Sequence, residues 1–307
     1  MKFLLSLMLI LLLTACVSTD PNQRRLQSEK LATDAGWQRL TLNAGMFSLV
    51  AFLPTNQRQA ETLTVYIEGD GLAWIDSSTP SFDPTPIDPL ALRLAMLDTS
   101  GSAVYLARPC QYVSGDDRHG CERKYWTSHR FAAEVIEASN IAVSQLKARY
   151  AAKSVRLVGY SGGGAVAALI AAKRKDIVQL VTVAGNLDHA VWTKRHRLSP
   201  LTGSLNPADA KNQLVNIPQQ HYVGGKDTVI GEFITQSYAD EFPANKKPSI
   251  SVMPTFNHHC CWALIWPNVV KSGFGAIKES DMPAGLIQPD DANSNIEQAT
   301  SKRKSHE

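Results

Sequence analysis

Val155-Arg156-Leu157-Val158, Gly159-Tyr160-Ser161-Gly162-Gly163 and Ala165-Val166-Ala167-Ala168-Leu169-Ile170-Ala171-Ala172 together decide the fold of this chain. A short apolar run suited to a buried strand gives way to a glycine-walled turn with one serine, then to a stretch of small apolar residues suited to a helix. A serine on a sharp strand-to-helix turn projects its hydroxyl past the sheet edge, and the strained backbone there needs small neighbours. The helix N-terminus behind it offers free N–H groups and a positive dipole end to a developing oxyanion. The pentapeptide alone also fits a turn with an idle serine. The strand before it and the helix after it make it informative.

Working outward, the same alternation repeats. Gln38 to Leu42 and Met46 to Leu53 alternate like an antiparallel hairpin. Leu63 to Ile67 reads as a strand, Pro89 to Leu97 as a helix and Ala103 to Ala107 as a strand. A long helix is expected from about Ser128 to Tyr150, with Ala133, Ile136, Ile141 and Leu146 among its apolar positions. Past the serine helix come a strand at Ile177 to Val183 and an irregular insertion at about 186–217. A strand at Gln220 to Val223, a helix at Phe233 to Phe242, a strand at Ser249 to Val252 and a helix from Trp262 complete the pattern. Strands alternating with helices predict an α/β domain at 37–288, with a mainly parallel central sheet and helices on both faces. Residues 289–307 are polar with little to bury, and are expected to be disordered.

The N-terminus sets an expected compartment. Met1-Lys2 precedes the apolar run Phe3 to Leu13, too short to cross about 30 Å of hydrocarbon as a helix and suited to a secretory signal. Leu13-Thr14-Ala15-Cys16 looks like a bacterial lipobox. It predicts a signal peptide at 1–15, lipidation at Cys16 and a polar tether at 16–36, with room for a short helix. Val17, rather than Asp, after that cysteine resembles outer-membrane sorting signals, so the expected location is the cell envelope, tethered and facing the periplasm. A net charge of +3 is too near neutral to suggest nucleic acid as a partner.

Four cysteines remain. In an oxidising compartment Cys110 and Cys121, flanking a polar turn-rich segment, are expected to bridge. The adjacent Cys260 and Cys261 leave open a vicinal disulfide, cross-pairing or two free thiols. Zinc is not expected, because no C-x-x-C spacing occurs and His258-His259-Cys260-Cys261 crowds its candidate ligands. No metal or cofactor is expected.

In open parallel sheets the working residues lie past the carboxyl ends of strands. Three such ends carry chemistry: Ser161, Asp227 in Gly224-Gly225-Lys226-Asp227-Thr228-Val229, and His258 in Phe256-Asn257-His258-His259. Here the chain resembles the α/β-hydrolase superfamily, whose nucleophile turn, acid loop and histidine loop follow that order. The resemblance spans about Leu40 to Val270. It implies Ser161 as nucleophile, His258 as general base and then acid, and Asp227 as the carboxylate that orients the imidazole. His259 is the rival base, and Asp188 in Ala184-Gly185-Asn186-Leu187-Asp188 the rival acid. It also implies an oxyanion hole from the Gly162 N–H and a backbone N–H of Gly69 or Asp70, in Glu68-Gly69-Asp70-Gly71. Many members carry His-Gly there, so Glu68 is a departure. Carboxylates beside a forming oxyanion oppose it unless turned away or paired, and Arg108 is one candidate partner.

The insertion with Trp192, Lys194, Arg195, His196 and Arg197 falls where such hydrolases place a cap, and reads otherwise as a solvated basic face. Trp74, Tyr112 and Trp126 are candidates for a pocket lining or for plain packing. The expected activity is that of a lipid-anchored serine esterase, acting on a small-molecule ester or a lipid through an acyl-enzyme. A peptidase or amidase would use the same groups. A catalytically silent envelope-binding lipoprotein of the same fold is the reading from a different class.

Overall fold

The computed structural model describes residues 20–277. The expected leader at 1–15, Cys16 and the tail at 289–307 lie outside the described residues.

The first element goes beyond the short helix that was expected. Most of the segment read as a tether is a helix, α1 (Pro21–Asp34), and it is docked on the domain. Asp20 caps it by accepting the Asn22 N–H at 2.9 Å, and proline occupies the first turn, where its missing donor costs nothing. Its inner face buries Arg24, Ser28 and Ala32. This face carries no apolar stripe, so hydrophobic periodicity gave no sign of it.

The hairpin follows as β1 (Trp37–Ala44) and β2 (Phe47–Pro54), paired from Trp37 opposite Pro54 to Ala44 opposite Phe47. Gly45 turns the corner at φ +74°, in the left-handed region that glycine enters without steric cost. After it come β3 (Thr62–Ile67), α2 (Leu90–Met96), β4 (Ala103–Leu106), α3 (Ala133–Arg149), β5 (Ser154–Tyr160) and α4 (Gly162–Ala171). The second half holds β6 (Ile177–Val183), α5 (His189–His196), α6 (Lys211–Leu214), β7 (Gln219–Gly224), α7 (Glu232–Asp240), β8 (Ser249–Met253) and α8 (Trp262–Lys271).

The eight strands of the described residues form one sheet in the order β1-β2-β4-β3-β5-β6-β7-β8. The hairpin strands are antiparallel to each other and β2 is antiparallel to β4, whereas every pair from β4 to β8 is parallel. Period-two alternation sorts the side chains onto two cores. Leu63, Val65 and Ile67 of β3 pack on one side with residues of α3, α4 and α7. Tyr66 of β3 and Val158 of β5 pack on the other with residues of α1, α2 and α8. Among the described residues no helix is long and apolar enough to cross a membrane.

Two further departures bear on the site. The helix expected from Ser128 starts at Ala133, because the backbone before it is held elsewhere: Phe131 N–H donates to Ser204 Oγ at 3.1 Å. The insertion expected to be irregular contains α5, a 3-10 turn at Pro207–Ala210 and α6. Asp188 caps α5 by accepting the Val191 N–H, and Arg197 ends it at φ +56°. Cys110 and Cys121 are disulfide-bonded, and so are Cys260 and Cys261 across a cis peptide bond.

Candidate active site

Ser161 lies between β5 and α4 at φ +52° and ψ −123°, a conformation that β-carbon-bearing residues rarely adopt. Its backbone is clamped from three sides. Its N–H donates to Val183 O at 3.0 Å, and its carbonyl accepts the Gly164 N–H (2.9 Å) and the Asn186 N–H (3.0 Å). The flanking glycines are required by contact rather than by turn propensity. A β-carbon on Gly159 would stand 2.3 Å from Gly163 O, and one on Gly162 would stand 2.2 Å from Asp70 Oδ1. Substituents at either position would force the serine turn off the sheet end.

The structure brings Ser161, His258 and Asp227 into one hydrogen-bonded line. His258 Nε2 is 3.0 Å from Ser161 Oγ, and His258 Nδ1 is 2.8 Å from Asp227 Oδ2. With the Nδ1 proton assigned toward the carboxylate, Nε2 is left free to accept from the serine hydroxyl. The other Asp227 oxygen, Oδ1, accepts the N–H groups of Val229 and Ile230, both at 2.8 Å, which fixes the carboxylate plane. Burial is deep: Asp227 and His258 are each 7% exposed. The His258 carbonyl accepts from the Tyr160 hydroxyl and from Trp262 Nε1, each at 3.3 Å, which ties the histidine loop to β5 and α8.

The rivals are engaged elsewhere. His259 Nδ1 lies 3.1 Å from the Tyr160 hydroxyl, and burial pushes its imidazole below its ordinary range, with neighbouring His258 adding to the effect. Asp188 accepts from Val191 N–H, Asn206 Nδ2 and Ser237 Oγ, and so serves the insertion.

Opposite the serine, the loop after β3 is built on two buried carboxyls with different partners. Glu68 is 1% exposed and its Oε1 accepts the Gly69 N–H at 2.9 Å. Among the described residues its buried Oε2 accepts no hydrogen bond of good geometry, and burial raises the carboxyl from its ordinary 4.5 to about 7. Of the two expected oxyanion donors on this loop, Gly69 is therefore occupied. The Asp70 N–H makes no hydrogen bond among the described residues, and Gly162 begins α4, where helical N–H groups have no intrahelical acceptor. Those two amides are the available pair. Gln111 braces the loop by donating from Nε2 to Gly69 O at 3.0 Å.

The Asp70 carboxylate, pressed against Gly162, is clamped by two guanidinium groups. Arg108 Nη1 is 3.2 Å from Oδ1 and Arg130 Nη1 is 2.6 Å from Oδ2. Despite desolvation, which acts to raise it, the pair of arginines holds this carboxyl below its ordinary value. Arg108 also donates to the Arg130 carbonyl and stacks 5.3 Å over the Phe131 ring. Arg108 was legible as a partner for Asp70 in the sequence. Arg130 was not, because it stands 60 positions away in a segment read as helix. Of the candidate lining aromatics, Tyr112 and Trp126 are core residues, at 1% and 4% exposure, while Trp74 is 39% exposed.

No family model and no curated protein matches this sequence. Solved structures do resemble it. An esterase of Pyrococcus furiosus is 14% identical with a TM-score of 0.53, over 78% of this chain and 90% of that one. An alpha-beta serine hydrolase homologue from Coxiella burnetii is 11% identical with a TM-score of 0.52, over 77% and 95%. The esterase domain of a Rhodothermus marinus protein is 13% identical with a TM-score of 0.51, over 78% and 96%. At such identities the likeness is one of architecture. In its sheet order, its serine turn and its resemblance to these neighbours, the chain has the α/β-hydrolase fold.

Proposed function

We propose that this chain is a serine hydrolase that cleaves carboxylic esters through an acyl-enzyme, and that it works tethered to the cell envelope by a lipid on Cys16. The observation that carries the chemistry is the continuous line from Ser161 Oγ through His258 to Asp227, at 3.0 and 2.8 Å, at the ends of three adjacent or near-adjacent strands. Ser161 Oγ attacks the ester carbonyl while His258 Nε2 takes its proton. The imidazolium so formed is stabilised by the buried Asp227 carboxylate. The tetrahedral oxyanion is received by the Gly162 and Asp70 N–H groups, each such donor being worth about 3–4 kcal/mol in related machinery. His258 returns the proton to the alkoxide as it leaves. Water then enters, His258 again acts as base, and the acid is released. The arginine-clamped Asp70 carboxylate fits this role, since its charge is neutralised before an oxyanion forms beside it.

The tether and its location are supported by the run from Leu13 to Cys16 and by the residue after it. A series of p-nitrophenyl acyl esters of increasing chain length tests the proposal. The wild type is expected to hydrolyse them with a clear chain-length optimum, and Ser161→Ala to lose activity by at least about a thousandfold. A folded wild type inactive across the series would contradict the proposal.

A further inference from the structure

The loop that begins with the Asp70 oxyanion donor goes on to carry four exposed large apolar side chains. Trp74, Ile75, Phe82 and Ile87, all between β3 and α2, are 39%, 50%, 74% and 43% exposed. These side chains stand on a fixed frame. Trp74 bridges to Pro80, Ile75 N–H donates to Thr79 O at 2.8 Å, and Asp76 Oδ1 accepts the N–H groups of Ser78 and Thr79. Trp126 Nε1 holds the returning leg through Ser81 O at 3.1 Å. Farther along, the Pro84 carbonyl lies so close to Gly71 that a β-carbon there would stand 1.9 Å from it. The apolar loop is thereby locked to the residue next to Asp70. Exposed apolar side chains held on one fixed loop are suited to an interaction surface.

The N-terminal helix shows what faces it. The first turns of α1 are pinned to this same loop at Asp83, a carboxylate only 3% exposed. Arg25 Nη1 reaches its Oδ2 at 3.1 Å, Arg24 Nη2 reaches its carbonyl at 3.1 Å, and Arg118 Nη1 reaches Oδ2 at 2.8 Å. Arg118 also donates to Phe82 O at 3.1 Å, and the Arg123 guanidinium stacks 4.7 Å over the Phe82 ring. Leu26, one residue past Arg25, is 64% exposed. Only four residues separate Cys16 from Pro21, so the chain between them reaches at most about 17 Å. A lipid on Cys16 is therefore held within that reach of the start of α1, the helix that Asp83 pins to this loop.

We infer that the loop from Trp74 to Ile87, together with Leu26, is a docking surface for the bilayer leaflet that holds the anchor, and that docking turns Ser161 toward acyl esters in that leaflet. This rests on the proposed lipidation of Cys16 and extends the proposed esterase to lipid substrates. Two signals, an acylated cysteine and an apolar surface, act together where a single weak one would leave the enzyme's orientation free. At the edge of this loop the partly exposed guanidinium groups of Arg25 and Arg118 flank the one Asp83 carboxylate, a pairing suited to a headgroup region, while Asp76 sits exposed within the loop.

The test uses full-length protein produced in a lipidating bacterial host, with acylation of Cys16 read by mass spectrometry. The protein is reconstituted in vesicles of phosphatidylethanolamine and phosphatidylglycerol doped with phosphatidylcholine brominated in its acyl chains. Tryptophan fluorescence of the wild type is expected to be quenched, and Trp74→Phe to lose most of that quenching, since Trp74 is the tryptophan in the loop. In Phe82→Asp, the ratio of turnover of a vesicle-embedded long-chain ester to turnover of a soluble short-chain ester is expected to fall at least roughly tenfold. Acylated, vesicle-bound protein whose quenching is absent, or is unchanged in Trp74→Phe, would overturn the docking surface. Quenching that depends on Trp74 in a protein that turns over neither ester would support docking and sink the esterase proposal instead. Unmodified Cys16 would refute the anchor, and with it the argument for this leaflet.

Discussion

Glu68→Gln isolates the most unusual electrostatic feature of the site. Glu68 is fully enclosed and gives one oxygen to the Gly69 N–H, and burial lifts its carboxyl from 4.5 to about 7. In the unfolded chain the same group ionises near 4.5. Between those values the folded state holds a proton that the unfolded state releases, so stability must fall as pH rises through this window. Below pH 4.5 the term vanishes; above pH 7 it reaches its full size, about 3 kcal/mol. Glutamine keeps a carbonyl oxygen for the Gly69 N–H and removes the titration. Urea unfolding of wild type and Glu68→Gln at pH 5 and pH 8 reads the effect directly. The variant is expected to gain about 2–3 kcal/mol relative to wild type over that interval, because every other titrating group is shared. A stability difference that stays constant from pH 5 to pH 8 would refute the reasoning, and would mean that Glu68 ionises in the folded state as readily as in water.

Other consequences are open to single measurements. His258→Ala should reduce kcat by at least about a thousandfold in an ester assay, while His259→Ala, whose ring reaches the Tyr160 hydroxyl rather than Ser161, should lose less than about tenfold; the reverse order would reassign the base. Gly162→Ala places a β-carbon 2.2 Å from an Asp70 oxygen that two arginines prevent from yielding, so kcat/KM should fall about 10²–10³-fold with circular dichroism unchanged. The double variant Cys110→Ser/Cys121→Ser opens a loop of sequence separation 11 and should lower unfolding stability by about 3 kcal/mol in urea titration.

Much of this arrangement was legible because it is local. A strand, a glycine-walled serine and a helix lie within one continuous stretch, and alternation in the hairpin with short apolar runs elsewhere marked each strand of the sheet near its observed position. The order Ser161, Asp227, His258 could be read because each residue stands in the turn or loop that follows an apolar run, and strand ends converge at one edge of a parallel sheet. What escaped was non-local or polar. Helix α1 buries an arginine and a serine rather than an apolar stripe, so its docking depends on Asp83, far along the chain. Arg130 clamps Asp70 across 60 positions, with no periodicity to announce it. Glu68 looked like an obstacle to the oxyanion hole. It is instead the acceptor that occupies Gly69, and among the described residues it leaves the amides of Asp70 and Gly162 without acceptors.

The central claim is that Ser161 is an activated nucleophile, and a fluorophosphonate probe tests it most directly. After incubation of the folded protein with the probe and tryptic digestion, mass spectrometry should find the phosphonyl adduct on Ser161. Labelling should disappear in Ser161→Ala and fall sharply in His258→Ala, which removes the base 3.0 Å from the hydroxyl. Folded wild-type protein left unlabelled, or labelled at a residue other than Ser161, would contradict the account.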